Sequence, residues 1–460
     1  MRAPNLKTKV KYTKRALLRL TFGIIGALIS GNTFAKTNKN FRDQKVIVIG
    51  AGISGLVAAN MLQNWGAEVL VLEARSHPGG RTRTSMRLGA PFEFGAGWIH
   101  GPSPDNPIRQ LAAWAGSNFF ITDDDSIELY TTDGSAIEAD DWDEIEEIWY
   151  EVLDELDADS TGSILQNLNE YDDEIWEDPN IRWIFSAYTE FDYGAPLKDI
   201  SAGLINEANG FPGADVILTD GYQKIIDLLS QNVKIRKDTP VTLIKYDFID
   251  HVEIEAANES FSANCAICSV PLGVLKSGSI TFSPKLPSYI NTSIERVGFG
   301  TVTRLAIKFT DQFWDSDVQY YGTVTEATGR WPLWMNYRTF SNEKILMGFC
   351  FGAYAIIADK MSDQDLLRDA LEVLKNVWGE EVANVADLMR TSWSQDPFSF
   401  GAYSYPKADN SKEDFENLSK PLNSRLFFCG EHTNFYFSAT THGAVMSGIR
   451  AADQISKMRR

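Results

Sequence analysis

Lys45-Val46-Ile47-Val48-Ile49-Gly50-Ala51-Gly52-Ile53-Ser54-Gly55 is the stretch that decides the fold. KVIVI is an apolar run with no polar alternation, the mark of a strand buried on both faces. The glycines Gly50, Gly52 and Gly55 follow at GxGxxG spacing, and apolar residues then recur at helical spacing from about Ser54 to Trp65. Glu68–Glu73 (EVLVLE) reads as a second strand, so the whole is a βαβ unit. GxGxxG alone is a weak signal, and a structural glycine turn is its competing reading. At a strand-to-helix junction the pattern acquires a mechanism. Gly50 permits the tight turn, Gly52 lets a pyrophosphate approach the backbone, and Gly55 lets helix and strand pack closely. The helix N-terminus offers free N–H groups and a partial positive charge. Glu73 ends the second strand at the separation expected of a carboxylate that takes ribose hydroxyls.

NAD and FAD share that fingerprint, and the next element separates them. Gly79-Gly80-Arg81-Thr82 follows the ribose carboxylate closely, an arrangement similar to that of flavoprotein oxidoreductases. Backbone N–H groups and the Arg81 guanidinium can neutralise a diphosphate there.

Outward from this core the chain of 460 residues is long enough for two or more domains. Its first 35 residues read as an export signal, with Lys7, Lys9, Lys11, Lys14, Arg15 and Arg19 before the apolar run LTFGIIGALIS and a small-residue site at Thr33-Phe34-Ala35. The run is shorter than the roughly 20 residues of a spanning helix, so no stable membrane span is expected after cleavage; an uncleaved anchor is the alternative. Thr13-Lys14-Arg15 resembles a twin-arginine signal with Lys in the first basic place, and ordinary secretory export fits equally. The expected location is periplasmic or secreted.

Formal net charge is −19, and the first 35 residues hold seven basic and no acidic groups, which leaves −26 for the remainder. From Gln110 to Ile181 there are 23 Asp and Glu and no Lys or Arg. Such a field repels nucleic acid and concentrates cationic small molecules; a solvated acidic face is the plainer reading. The same region is rich in Trp and reads as helical, for example Asp141–Leu156. Strand character returns in KIRKDTPVTLIKY, NCAICSVPL, TRLAIKF and KILMGFCF, a helix is expected near Gln364–Val377, and the chain ends on strand RLFFCG, a tight turn and a long helix. Cys265 and Cys268 have CxxC spacing within a strand. Residues three apart there face opposite ways, so burial is expected rather than a disulfide or a metal site.

Phe94-Gly95-Ala96-Gly97-Trp98-Ile99-His100-Gly101 resembles the flavin-dependent amine oxidases, and more narrowly their polyamine and spermine oxidase branch. The likeness continues in order through Asp220-Gly221-Tyr222, Val270–Lys276 (VPLGVLK), Gly298-Phe299-Gly300, Trp393 with Asp396-Pro397, Gly401-Ala402-Tyr403-Ser404-Tyr405, Gly430-Glu431-His432-Thr433 and Ala439–Ala444 (ATTHGA), covering nearly all of Gln44–Ile455. The resemblance implies that Ser54, Glu73, Arg81, Val241 and Glu431 contact the FAD adenosine, diphosphate or ribityl parts. Trp98 and Ile99 would line the flavin ring, with Thr440 and Thr441 at its pyrimidine end. Tyr403 would be one wall of an aromatic cage over the flavin, with Thr440 as a non-aromatic wall opposite. His100 takes the place of a polar residue that contacts substrate; a structural hydrogen bond is the alternative. His442 reads as structural. Ala402 stands where monoamine oxidases attach flavin through Cys, so non-covalent FAD is expected. Arg304 replaces a Lys that holds a water near the flavin; it holds the same water or binds a substrate carboxylate.

The expected architecture is α/β plus α+β. A Rossmann-like FAD domain (residues 44–100, 218–290 and 418–458) is interleaved with a substrate domain of antiparallel sheet and helices (101–217 and 291–417). The activity implied is oxidation of a cationic amine, most specifically a polyamine, by hydride transfer from the carbon beside a neutral nitrogen, with O₂ as acceptor and an imine and hydrogen peroxide as products. An L-amino-acid oxidase of the same superfamily and a non-catalytic flavin-binding module are the alternatives. Histone demethylation is disfavoured by the lack of a reader domain or coiled-coil insertion. No metal is expected. Neither the amine nor the oligomeric state is legible.

Overall fold

The computed structural model describes residues 41–458; the expected export signal lies outside them. A five-stranded parallel sheet organises the first body. Its strands are β1 (Lys45–Ile49), β2 (Glu68–Leu72), β3 (Ile235–Arg236), β4 (Cys265–Cys268) and β5 (Leu426–Phe428), in the order β5-β4-β1-β2-β3. Because side chains alternate along a strand, β1 feeds two cores. Val46 and Val48 pack beneath the helices Ile53–Asn64 and Thr441–Lys457. Ile47 and Ile49 face Ile244, Val252 and Ile254 of a four-stranded sheet on the other side. The run without alternation is therefore a strand covered on both faces. Cys265 and Cys268 divide between these same two cores as buried thiols outside any disulfide.

All five strands fall within 44–100, 218–290 and 418–458. The cores they build also take in Ile108, Leu111 and Ala112 of helix Pro107–Trp114, Ile290 and Ile294 of helix Ser288–Arg296, and Phe415. The first body thus extends past residues 100 and 290 and takes in chain before 418, wherever an apolar helix face has this sheet to cover it.

The second body is a six-stranded sheet in the order Val385–Arg390, Thr303–Phe309, Ile345–Cys350, Leu333–Asn336, Tyr320–Thr323, Ile127–Tyr130. It is antiparallel except for its last pair. Leu305 and Ile307 point to helix Asp363–Trp378, burying Leu366, Ala370 and Leu374. Val302, Ala306 and Phe349 face the other way, toward Trp98, Phe191 and Tyr403. A helical layer over 139–193 closes the side. In it Trp183 is buried and Trp149 and Trp176 pack against the same core. One stretch of this layer, Phe185–Glu190, is π-helical, a distortion frequent at functional sites.

No helix among the described residues is long and apolar enough to cross a membrane. Among the same residues no three His, Cys, Asp or Glu gather as a metal-binding group.

Candidate active site

A cavity of about 670 Å³ runs from the carboxyl ends of β1 and β2 to the inner face of the six-stranded sheet, between the two bodies, where ligand sites tend to form. Its nucleotide end is built of backbone. Gly50 has φ +102°, a conformation that favours glycine. A Cβ on Gly52 would meet nothing within 4 Å, so its Cα borders open space, and a Cβ on Gly80 would come no nearer than 3.6 Å to the Gly52 Cα. The helix Ile53–Asn64 starts at Gly52 with no side chain capping it, so its first N–H groups remain available to an anion. Ser54 lines the cavity in its first turn. Glu73 accepts the Ala51 N–H at 2.7 Å through Oε2 and the Arg75 N–H at 2.8 Å through Oε1; each oxygen keeps a lone pair for ribose hydroxyls. These residues suit the adenosine diphosphate part of FAD.

Further along, Arg81 Nη1 donates to the Ala402 carbonyl oxygen at 2.8 Å and to Glu431 Oε1 at 2.9 Å. Glu431 Oε2 accepts the Ser404 hydroxyl at 2.5 Å and the Ala439 N–H at 2.9 Å. Burial pushes the Glu431 carboxyl up, but Arg81, His432 and Ser404 outweigh it and hold the group below its ordinary range. Val241, Trp98, Thr440 and Thr441 complete the lining.

One expected contact is corrected. Ile99 does not line the cavity. It follows Trp98 in a two-residue strand, so the two side chains diverge, and Ile99 lies in the first core with Ile108 and Val216. Thr440 borders the cavity. Its hydroxyl accepts the Gly443 N–H at 3.0 Å as N-cap of the last helix and donates to the Phe437 carbonyl at 2.8 Å, which leaves the oxygen one lone pair for a further donor. Gly55 is off the cavity as well, wedged against Gly50 and Ser269, in keeping with a packing role.

The other end is aromatic and acidic. Tyr403 donates its hydroxyl to the Phe191 carbonyl, and burial keeps the phenol protonated. Trp98 meets the Phe191 ring edge-on at 5.7 Å. Arg304 enters from strand Thr303–Phe309, 8% exposed, with Nη1 3.0 Å from the Glu93 carbonyl oxygen. His100 is open to the cavity, and its Nδ1 lies 2.5 Å from Asp215 Oδ2. Burial works against its imidazolium, but Asp215, with Asp192 and Asp124 behind it, raises its pKa above the ordinary value. His442 is buried between Phe211 and Phe437, and burial pushes it down to about 3, so it is neutral.

Asp192, Asp215 and Glu93 were not identified from sequence. Asp192 lines the cavity just after the π-helical turn, with no hydrogen bond or ion pair to any described residue. Burial, then the neighbouring Asp215 and Asp124 against the opposing pull of His100, raises it to about 6. Nothing in the local pattern marks these acids; folding alone brings Asp192 and Asp215 to His100 and Glu93 to Arg304.

The fold and lining define a nucleotide-binding flavoprotein with an aromatic, acidic chamber at the far end of its cavity. The family described as flavin containing amine oxidoreductase matches residues 53–456, and the chain belongs to it. It is 30% identical to Protein Flowering Locus D of Arabidopsis thaliana over 95% of this chain and 58% of that protein. It is 30% identical to polyamine oxidase 2 of the same plant over 90% and 88%. Among solved structures, a putrescine oxidase variant redesigned for cofactor binding superposes with a TM-score of 0.75 at 19% identity, covering 91% of this chain and 99% of that one. The chain spans little more than half the length of the first curated relatives it matches, 58% and 56% of the first two.

The cofactor is FAD. No cysteine lines the cavity, where Ala402 stands, so acid precipitation is expected to release yellow FAD into the supernatant. Flavin left on the denatured chain would show a covalent link.

Proposed function

We propose that the protein oxidises di- and polyamines, and that Asp192 holds an ammonium group remote from the reacting nitrogen. The observation that carries this reading is an unpaired carboxylate on the wall of the aromatic chamber. His100 and Asp215 are bonded to one another, which leaves Asp192 as a cavity-lining carboxylate with no partner among the described residues. Tyr403 and Trp98 present aromatic faces that favour an amine nitrogen, and the Tyr403–Phe191 bond fixes that wall to the segment carrying Asp192. Bound FAD supplies the two-electron acceptor for the hydride on the carbon beside the nitrogen, with O₂ as the final oxidant. The remote ammonium contributes binding energy that a monoamine lacks. The names of two relatives, polyamine oxidase 2 and polyamine oxidase 4, support the reading.

Asp192→Asn is expected to raise KM for a polyamine about 10- to 100-fold, the worth of a charged hydrogen bond of roughly 1.5–3 kcal/mol, and to leave monoamine KM nearly unchanged. KM for the polyamine should also rise as pH falls through about 6, where Asp192 gains its proton. The check is peroxide release from spermine, spermidine, putrescine, a monoamine, neutral amino acids and a methyl-lysine peptide. A neutral amino acid as best substrate would make this an amino-acid oxidase; a methyl-lysine peptide as best substrate would make it a demethylase.

A further inference from the structure

Behind the cavity wall lies a separate chamber of about 20 Å³, bordered by Glu93, Gly97, Trp98, Arg304, Tyr337 and Met347 among others. Gly97, Trp98 and Arg304 border both spaces. Two buried groups of opposite charge meet there without a direct ion pair. Arg304 donates Nη1 to the backbone carbonyl of Glu93, and its guanidinium lies 5.4 Å from the ring centre of Trp98 and 5.6 Å from that of Phe349. The Glu93 carboxyl, 7% exposed, accepts only neutral donors: the Tyr222 N–H at 2.8 Å and the Thr84 hydroxyl at 2.8 Å.

We propose that Glu93 is a positioning residue that acts through Arg304. The two form one buried charge unit, and gain or loss of a proton on Glu93 switches the cavity wall at Arg304 between net positive and net neutral. The inference rests on the bound flavin and not on which amine is oxidised. Burial pushes Glu93 up to about 7, against the opposing pull of the Tyr222 N–H, the Thr84 hydroxyl and Arg304. Arg304 stays charged throughout, since a guanidinium does not lose its proton in a protein. The other titratable groups facing the pair are Tyr222 at the start of helix Gln223–Ser230, Tyr337 after strand Leu333–Asn336, and Tyr403. Burial raises all three phenols, which remain neutral. Beyond Tyr403 stand Glu431, held low and paired with Arg81, and Asp192, raised to about 6; beyond Tyr222 stands Asp215, paired with His100. Glu93 is therefore the group bonded to Arg304 whose charge changes near pH 7, while Asp192, on the far side of Tyr403, changes lower, at about 6. Below about pH 7 Glu93 is protonated and the wall carries one positive charge, which favours the more electron-rich, reduced flavin. Above that pH the advantage disappears.

The midpoint potential of FAD in the holoprotein, measured by dye equilibration from about pH 5.5 to about pH 8.5, tests this. Wild type should show an inflection near pH 7, with the potential falling more steeply through it. Glu93→Gln, neutral at every pH, should lose the inflection and continue the acid limb. Arg304→Met should move the inflection to higher pH, because the carboxylate loses a favourable charge. The wild-type-minus-Glu93→Gln infrared difference should contain a protonated-carboxyl band that titrates with the same midpoint, set apart from those of Glu190 and Asp192, which the variant keeps. An inflection that survives in Glu93→Gln, or stays in place in Arg304→Met, overturns the proposal. So does a wild type with neither inflection nor titrating band. If Glu93→Gln does not fold, wild type and Arg304→Met decide the matter between them.

Discussion

Gly55→Val should abolish retention of FAD and yield little folded protein. Gly55 is the third residue of the first helix, and a Cβ there would drive into the Gly50 carbonyl oxygen, 2.7 Å from Ser269 Oγ and 3.2 Å from Val48 Cγ1. The first obstacle is backbone and cannot swing away. Ser269 Oγ is also committed, donating to the Ile49 and Gly50 carbonyls at 2.8 and 3.0 Å. Relief requires the helix to lift from β1, which opens the packing of Leu56 and Val57 on Val46 and Val48 and displaces the helix N-terminus from the anion it would face. Overpacking of a close-packed core costs about 1–3 kcal/mol when side chains can adjust; an obstacle made of backbone should cost more. Gly52→Ala provides the contrast, since its Cβ would meet no protein atom. That variant should fold with wild-type stability and bind FAD more weakly, because the methyl occupies space at the cradle. Thermal unfolding of apo and FAD-loaded protein separates the two: Gly55→Val loses both, Gly52→Ala only the increment due to FAD. Equal stability of the Gly55→Val and wild-type apoproteins would refute the packing role.

The elements most legible in sequence are those whose cause is local. KVIVI had to be a doubly covered strand, and its GxGxxG turn needed only a strand before it and a helix after it. TRLAIKF is a strand from Thr303 to Phe309 as read, and the helix expected near Gln364–Val377 runs from Asp363 to Trp378. The errors come from questions that local pattern does not answer. Trp98 and Ile99 are neighbours in a motif, but strand parity sends one side chain to the cavity and the other to the core. Asp192 and Asp215 are isolated acids in sequence, and their meaning arises only where the π-helical turn and strand Val216–Leu218 carry them to His100. Glu93 stood at the edge of a recognised motif, with nothing to show that Arg304, 211 positions away, would bond to its carbonyl.

Glu431→Gln should lower both stability and FAD affinity, through Arg81. The carboxylate is nearly inaccessible, at 6% side-chain exposure, and joins three parts of the site: Arg81 from the Gly79-Gly80 turn, Ser404 beside Tyr403, and the Ala439 N–H ahead of the last helix. An amide of the same shape keeps one acceptor and turns two N–H donors toward groups that need an acceptor. It also leaves Arg81, 21% exposed, without its counter-charge. Loss of one partner from a buried pair typically costs about 3–5 kcal/mol. The sign with pH follows from the direction of the shift. Glu431 lies below the ordinary carboxyl range in the folded protein, so its stabilisation is complete above about pH 4.3, the value of a free glutamate. That stabilisation fades as pH falls through the lower folded value. The difference in unfolding free energy between wild type and Glu431→Gln should therefore be full at neutrality and shrink in acid. Arg81→Met should produce much of the same loss, and the double variant should lose far less than the sum, because both changes remove one interaction. Additive losses, or a difference that persists undiminished in acid, would mean that Glu431 serves as a neutral hydrogen-bond hub and that the orientation of Arg81 comes from the Ala402 carbonyl alone.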